Sequence, residues 1–442
     1  MRRLIDEQLA AWKSSPRRKP LIVRGARQVG KTWSIERFGE LEFDAVAKID
    51  FEKRPDLAPL FDGDLSPLKL IEQLELAIGR KIEGGKTLLF LDEIQACPRA
   101  ITALRYLFEE APELHVIAAG SLLEFALGQI AVPVGRVSYR DMFPMTFQEY
   151  LIAMGNDPAA EAIIGQPTAL AEPVHQMLLD ALKRYFFVGG LPECVSIASS
   201  GGSLLDVFNV QDDILSAYRD DFAKYGGRSD KTCLDAVMMH VARQVGRQIK
   251  YTGLGDAHSG QTNRKAFELL CMARVVHKIP SARPAALPLG ASANEKRFKA
   301  AFLDVGLMQR LCGLPVDREM QHRDLLDIYR GQLAEQFVAQ ELLVTHRREL
   351  FYWSREARSS QAEVDFLALH DGRIHPVEVK SGKGGQLRSL HLALQTYPTC
   401  GEGLVLYGGS YGERPEQRLR FVPLYYAGMV GPDRGVREKK PA

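Results

Sequence analysis

The short run Leu21-Ile22-Val23-Arg24 passes directly into Gly25-Ala26-Arg27-Gln28-Val29-Gly30-Lys31-Thr32. No other stretch restricts the fold as far. The spacing G-x-x-x-x-G-K-T needs a strand before it and a helix after it. Its glycines let successive backbone N–H groups turn inward as an anion nest, and the following helix adds the positive end of its dipole. Lys31 is then placed to reach the β- and γ-phosphates of a nucleotide, and the Thr32 hydroxyl to bind magnesium. All eight residues from Gly25 to Thr32 are candidate nucleotide contacts.

A second segment completes that chemistry. Leu88-Leu89-Phe90-Leu91 reads as a buried strand, and Asp92-Glu93 closes it. Asp92 is expected to meet the metal held by Thr32, and Glu93 to act as general base toward the attacking water. The next β-run ends at Gly120-Ser121. Ser121 is either a polar sensor of the γ-phosphate or the N-cap of a helix over Leu122–Leu127. Arg136 is a candidate arginine finger, acting in cis or from a neighbouring subunit; a surface ion pair is the bland alternative.

Around these motifs the first 150 residues alternate strands and helices, the pattern of a parallel sheet flanked by helices. Strands are expected at Leu21–Arg24, Ala45–Asp50, Thr87–Leu91, Val116–Ala119 and around Arg136–Arg140. A helical stretch runs from Phe147 to about Asp221, broken at Gly189-Gly190-Leu191-Pro192. Residues 230–280 read as three short helices and a strand, with the last helix at Thr262–Met272 and a hairpin starting at Val275–Ile279. Pro280 to Pro288 reads as a wing or linker. A further helix is expected at Leu333–Thr345, and the Gly-, Lys- and Arg-rich tail from Gly431 as disordered.

Near the C-terminus Val364–Leu369 and His375–Val379 flank Asp371-Gly372, the sequence of a two-residue type I′ turn. That turn sets Asp365 opposite Glu378 and Glu363 opposite Lys380. Like charges directly opposed weaken a hairpin, so carboxylates kept together beside a lysine point to a magnesium or manganese site. Glu335, on a helix beside Val338 and Leu342, is a third candidate ligand. In metal-dependent phosphodiester cleavage such carboxylates hold the metal and a lysine such as Lys380 stabilises developing charge. A surface hairpin with a charged solvent face is the plain alternative. Pro376, inside the second strand, implies an edge position or a bulge.

Bulk properties exclude some classes. With 57 basic against 55 acidic residues the net charge is +2, so any nucleic-acid contact must be a local face. No run of 18 apolar residues occurs, which argues against a membrane span. The six cysteines are scattered without a C-x-x-C pair, as suits a reducing cytoplasm and no zinc site. The basic N-terminus reads as an amphipathic helix with Leu4, Leu9 and Trp12 on one side.

Taken together, the segments GARQVGKT, LLFLDEIQ, AAGSLLEF, VGRV with FPMTFQEYL, FVGGLPECV, FLDVGL, GQLAEQFVAQEL and EVDFLALHDGRIHPVEVKSG carry a resemblance. The chain resembles a bacterial and archaeal family of AAA+-like P-loop ATPases with a C-terminal PD-(D/E)XK nuclease-like domain. The resemblance implies an α/β architecture in this order: a P-loop AAA+-like core over 1–150, a helical lid over 151–225, a winged helix over 226–288 and a nuclease-like α/β domain over 289–430. It implies that Glu335, Asp365, Glu378 and Lys380 occupy nuclease-type positions. ATP with Mg2+ is the expected cofactor set, although the loop reads phosphates and not the base. Gln261, Asn263, Arg264 and Lys265, at the start of the expected recognition helix, are candidate DNA contacts. A homo-oligomer is the expected form if Arg136 acts between subunits. A nucleotide-gated switch that binds DNA or a protein without cutting is the alternative reading.

Overall fold

The computed structural model describes all residues except 122, 125–134, 226–227, 256, 314–327, 358–359, 381–386 and 432–442. Most of the helix expected over Leu122–Leu127, and the tail beyond Gly431, lie outside the described residues. The chain divides into two compact units. Met1–Pro144 with Met272–Arg274 forms the first, and Met145–Cys271 with Val275–Ala442 the second.

The first unit opens with α1 (Leu4–Lys13), which buries Ile5, Leu9 and Trp12. Strand and helix then alternate: β1 (Leu21–Arg24), α2 (Lys31–Glu42), β2 (Ala45–Asp50), α3 (Pro67–Ile78), β3 (Thr87–Asp92), α4 (Pro98–Glu110), β4 (His115–Gly120) and β5 (Ser138–Asp141). The five strands form one parallel sheet in the order β2-β3-β4-β1-β5. Parallel neighbours require a crossover, and helices in the crossovers cover the sheet. Every residue of β3 and β4 is accordingly buried. The order places the carboxyl ends of β1, β3 and β4 side by side, where open α/β sheets bind their ligands.

The second unit begins with helices α5 (Phe147–Ala153), α6 (Asp157–Ala162), α7 (Glu172–Val188), α8 (Pro192–Ser199), α9 (Leu204–Tyr225), α10 (Arg228–Arg243) and α11 (Gly260–Met272). Then follow β6 (Val276–Ser281), β7 (Asn294–Phe302), α12 (Val305–Cys312), α13 (Ile328–Thr345), β8 (Phe351–Ala357), β9 (Ser360–His370) and β10 (Arg373–Lys380). The unit ends with α14 (Arg388–Thr396), β11 (Gly403–Tyr407), β12 (Gly412–Arg414) and β13 (Leu419–Pro423). Its eight-stranded sheet has the order β12-β13-β11-β10-β9-β8-β6-β7. The β6–β7 hairpin, expected to start at Val275–Ile279 and to lead into a wing or linker over Pro280 to Pro288, continues this sheet, because Ser281 pairs with Tyr352 of β8.

The β9–β10 hairpin turns on Asp371 (φ 47°) and Gly372 (φ 69°), both left-handed as a type I′ turn requires. Arg373 lies opposite His370 and Val377 opposite Phe366. Pro376 does not force an edge or a bulge. It sits opposite Leu367 in an inner strand, and β11 pairs with β10 only from Val377 onward, so no ladder on that side needs the missing N–H.

Candidate functional site

The loop between β1 and α2 carries the first site. Gly30 (φ 92°) and Gln28 (φ 64°) both adopt the left-handed conformation that turns backbone amides inward. Glycine does so freely, whereas Gln28 is strained. The Lys31 ammonium donates to the carbonyls of Gly25 and Ala26, at 3.0 and 2.8 Å. Burial lowers its pKa to about 8, against the pull of Glu93 and Asp92. The Thr32 hydroxyl donates to Asp92 at 3.2 Å (Oδ1) and 3.0 Å (Oδ2). Burial also raises the Asp92 pKa, a tendency that Lys48 and Thr32 oppose. A hydroxyl and a buried carboxylate meeting beside a phosphate-loop lysine form the oxygen donor pair that suits magnesium.

Glu93 follows Asp92 with φ 47°, and its Oε2 accepts from the Gln95 amide at 2.6 Å. Ser121 is buried, and its hydroxyl has no partner among the described residues. It follows Gly120, which pairs with Arg24 at the end of β1, so the free hydroxyl lies at the same carboxyl edge as the loop. Arg136 does not. Leu21 pairs with Ser138 and Arg24 with Asp141, so Arg136, ahead of Ser138, enters at the opposite edge of the sheet. There it forms an exposed ion pair with Glu109 at 2.8 Å. A cis arginine finger is thereby corrected: at ~3.3 Å per residue a full strand separates Arg136 from the phosphate loop.

Three residues of this site escaped the sequence. Lys48 on β2 reaches Asp92 Oδ2 at 3.2 Å and Glu36 at 2.8 Å. Burial works against its charge, but Glu36 and Asp92 outweigh it and raise its pKa. The alternation of Lys48 with Asp50, which pairs with Asp92, was the available signal. Arg3, almost fully buried, donates to the Val29 carbonyl at 2.9 Å and to the Phe143 carbonyl at 2.8 Å. Arg274, also buried, bonds to Glu124 at 2.8 Å and to Asp141, and its charge helps lower the Lys31 pKa. Nothing local in the sequence marks Arg3 or Arg274.

The second candidate site lies in the second unit. Glu335 of α13 and Asp365 of β9 do converge, with Glu363 of β9, but onto the ammonium of Lys299 from β7. The distances are 3.0 Å to Glu335, 2.7 Å to Glu363 and 3.2 Å to Asp365. Asp365 also accepts from the Val379 amide at 2.9 Å, and Glu378 bonds to Lys380 at 2.6 Å. Burial, then Asp365, pushes Glu335 and Glu378 each up to about 7. Burial opposes the charge on Lys299, yet the three carboxylates hold its pKa well above the usual lysine value. Among the described residues no three Asp, Glu, His or Cys side chains are grouped closely enough to hold a metal ion.

At the start of α11, Gln261 and Lys265 are exposed, and Arg264 pairs with Glu268 at 2.7 Å. Asn263 is fully buried and donates to the carbonyls of Tyr251 and Gly255, so it anchors the helix and is no base contact. No helix among the described residues is long and apolar enough to cross a membrane.

Fold and loop geometry together define a P-loop ATPase domain. Residues 17–151 match the family model described as "AAA domain". Residues 179–318 match "Domain of unknown function (DUF8612)" and residues 330–427 match "Domain of unknown function (DUF4143)". No curated protein matches the chain. Among solved structures, the Walker-type ATPase PABY2304 of Pyrococcus abyssi is similar at 12% identity and TM-score 0.46, over 70% of this chain and 94% of that one. The Aeropyrum pernix ORC1 protein in complex with DNA is similar at 13% identity and TM-score 0.29, over 71% and 92%. The Thermotoga maritima RuvB Holliday junction branch migration motor is similar at 14% identity and TM-score 0.28, over 67% and 90%.

Proposed function

We propose that this ATPase hydrolyses ATP with magnesium and passes its nucleotide state to a DNA-associated, nuclease-like C-terminal module. The observation that carries the ATPase part is the Thr32–Asp92 hydrogen bond beside the buried Lys31. On binding, phosphate oxygens replace the Gly25 and Ala26 carbonyls as partners of Lys31, and the loop amides donate to the remaining phosphate oxygens. Magnesium, held by Thr32 and Asp92, would supply charge neutralisation to the phosphates. Glu93, held by Gln95, orients water and takes its proton. Ser121 is positioned to donate to the γ-phosphate. DNA contact is drawn from the exposed Gln261 and Lys265 at the head of α11, with Arg264 beside them.

The test is ATP turnover with magnesium, with and without DNA. Lys31→Ala and Glu93→Gln are each expected to lower turnover, Glu93→Gln by roughly 10²–10⁴-fold, and DNA to stimulate the wild type. Unchanged turnover in Lys31→Ala would remove the ATPase assignment of this site; indifference to DNA would remove the DNA association alone. A second reading, a nucleotide-gated switch that binds without cutting, is favoured by the Lys299 ammonium standing among the nuclease-type carboxylates.

A further inference from the structure

We infer that Lys299 is the resident cation of the C-terminal acidic centre, and that its ammonium takes the place a divalent metal would need, closing this centre to metal-dependent phosphodiester cleavage. The inference deepens the switch reading and does not depend on ATP turnover. An ammonium has three N–H donors and no acceptor, and here three carboxylates lie within ion-pair distance of it. The match of donors to acceptors is complete. Its charge also lies against the Tyr352 ring, 5.4 Å from the centroid.

The carboxylates are committed elsewhere as well. Asp365 spends its second oxygen on the Val379 amide, and Glu378 gives one oxygen to Lys380. Among the described residues Glu378 Oε2 is buried without a partner, and Glu335 and Glu363 each meet Lys299 through Oε1. Glu335 cannot swing away freely. A Cβ placed on Gly246 would lie 2.3 Å from its Oε2, so the backbone at Gly246 walls in that carboxylate.

Comparison with the phosphate loop decides between a movable and a fixed lysine. Lys48 stands on Asp92 in much the same way, but its side chain is 28% exposed and can withdraw into solvent as a metal enters. The Lys299 side chain is 1% exposed and issues from the paired part of β7, opposite Ile279. It has no exit. A second, divalent charge would have to share the same carboxylates with a buried ammonium, and like charges at that range repel strongly where water is excluded.

The test uses the full chain carrying Asp92→Asn, which silences the magnesium site of the phosphate loop. Binding of Mn2+ is counted by the loss of the free-ion electron paramagnetic signal, and nicking of supercoiled plasmid is followed with Mg2+ and Mn2+. The expected result is no bound Mn2+ at submillimolar concentration and no nicking. Adding Lys299→Met should create one Mn2+ site per chain, which a further Asp365→Asn removes. The inference is overturned if the Asp92→Asn chain already binds one Mn2+ that Asp365→Asn abolishes, or if a folded Lys299→Met chain gains no site. Should Lys299→Met fail to fold, the Asp92→Asn chain with and without Asp365→Asn decides alone. Loss of ATP turnover bears on neither result, so failure of the ATPase reading stays separable.

Discussion

The guanidinium of Arg3 donates to the carbonyl of Val29, joining the residue ahead of the first helix to the middle of the phosphate loop at 2.9 Å. A second bond, to Phe143 at 2.8 Å, ties the same group to the chain beyond β5. The loop that must hold its amides inward is therefore braced from outside by a buried cation. Arg3→Ala is expected to raise the Kd for nucleotide several-fold and to cost about 1.5–3 kcal/mol of stability, the range for hydrogen bonds to a charged group. Nucleotide titration and thermal melting check it. A variant that loses stability with unchanged nucleotide affinity would show that Arg3 holds the fold and not the loop.

Gln95 makes the comparable contact for Glu93, the proposed general base. Its amide holds Glu93 Oε2 at 2.6 Å, while Glu93 is kept in a left-handed backbone that costs on the order of 1–3 kcal/mol. Gln95→Leu removes the hold and leaves the backbone. The expected outcome is a fall in kcat of roughly tenfold with little change in KM, because only the orientation of the base in the transition state is lost. Steady-state kinetics on purified protein decide, and a rise in KM at unchanged kcat would place Gln95 in ground-state binding.

Legibility followed the range of the interaction. Strands of the first unit were readable because apolar runs bounded by the phosphate loop and by Asp92-Glu93 leave few alternatives. The hairpin register was readable because Asp371-Gly372 specifies its turn, and the observed pairs run from Arg373 with His370 to Val377 with Phe366. Lys299 was not readable. It lies 36 residues before Glu335 and 66 before Asp365, and its strand follows an expected wing whose pairing into the C-terminal sheet no local pattern announces. For Arg136 the sequence left an arginine finger and a surface ion pair both open, and the structure shows it paired with Glu109.

The double glycine of FVGGLPECV reads from sequence only as a turn, but its role is space. A Cβ on Gly190 would meet the Met145 carbonyl oxygen at 2.1 Å and the Tyr185 hydroxyl at 2.9 Å. The Met145 amide donates to the Gly190 carbonyl at 2.6 Å, so the two backbones cannot part without losing a buried bond. Gly190→Ala is expected to destabilise the second unit by about 3 kcal/mol or more, at the upper end of overpacking costs. Urea unfolding followed by far-UV circular dichroism measures this. A cost below ~1 kcal/mol would mean that the junction yields easily.

Asp304 closes the same junction and gives it a pH dependence. Its carboxylate accepts from the Gly190 amide at 2.6 Å and, as N-cap of α12, from the Leu307 amide at 3.0 Å. Burial nevertheless raises its pKa from 3.8 to about 6. A carboxyl with a folded pKa above its unfolded value binds its proton more tightly when folded, so its contribution is full below pH 3.8 and is lost as pH rises through about 6. Two pKa units correspond to about 3 kcal/mol. Asp304→Asn keeps the shape and cannot titrate. The stability of wild type relative to this variant should therefore fall by about 2 kcal/mol between pH ~4 and pH ~7. Paired urea titrations at the two pH values cancel the histidines, which are common to both chains. A constant difference would mean that Asp304 keeps one protonation state throughout, and that the amides of Gly190 and Leu307 offset its burial.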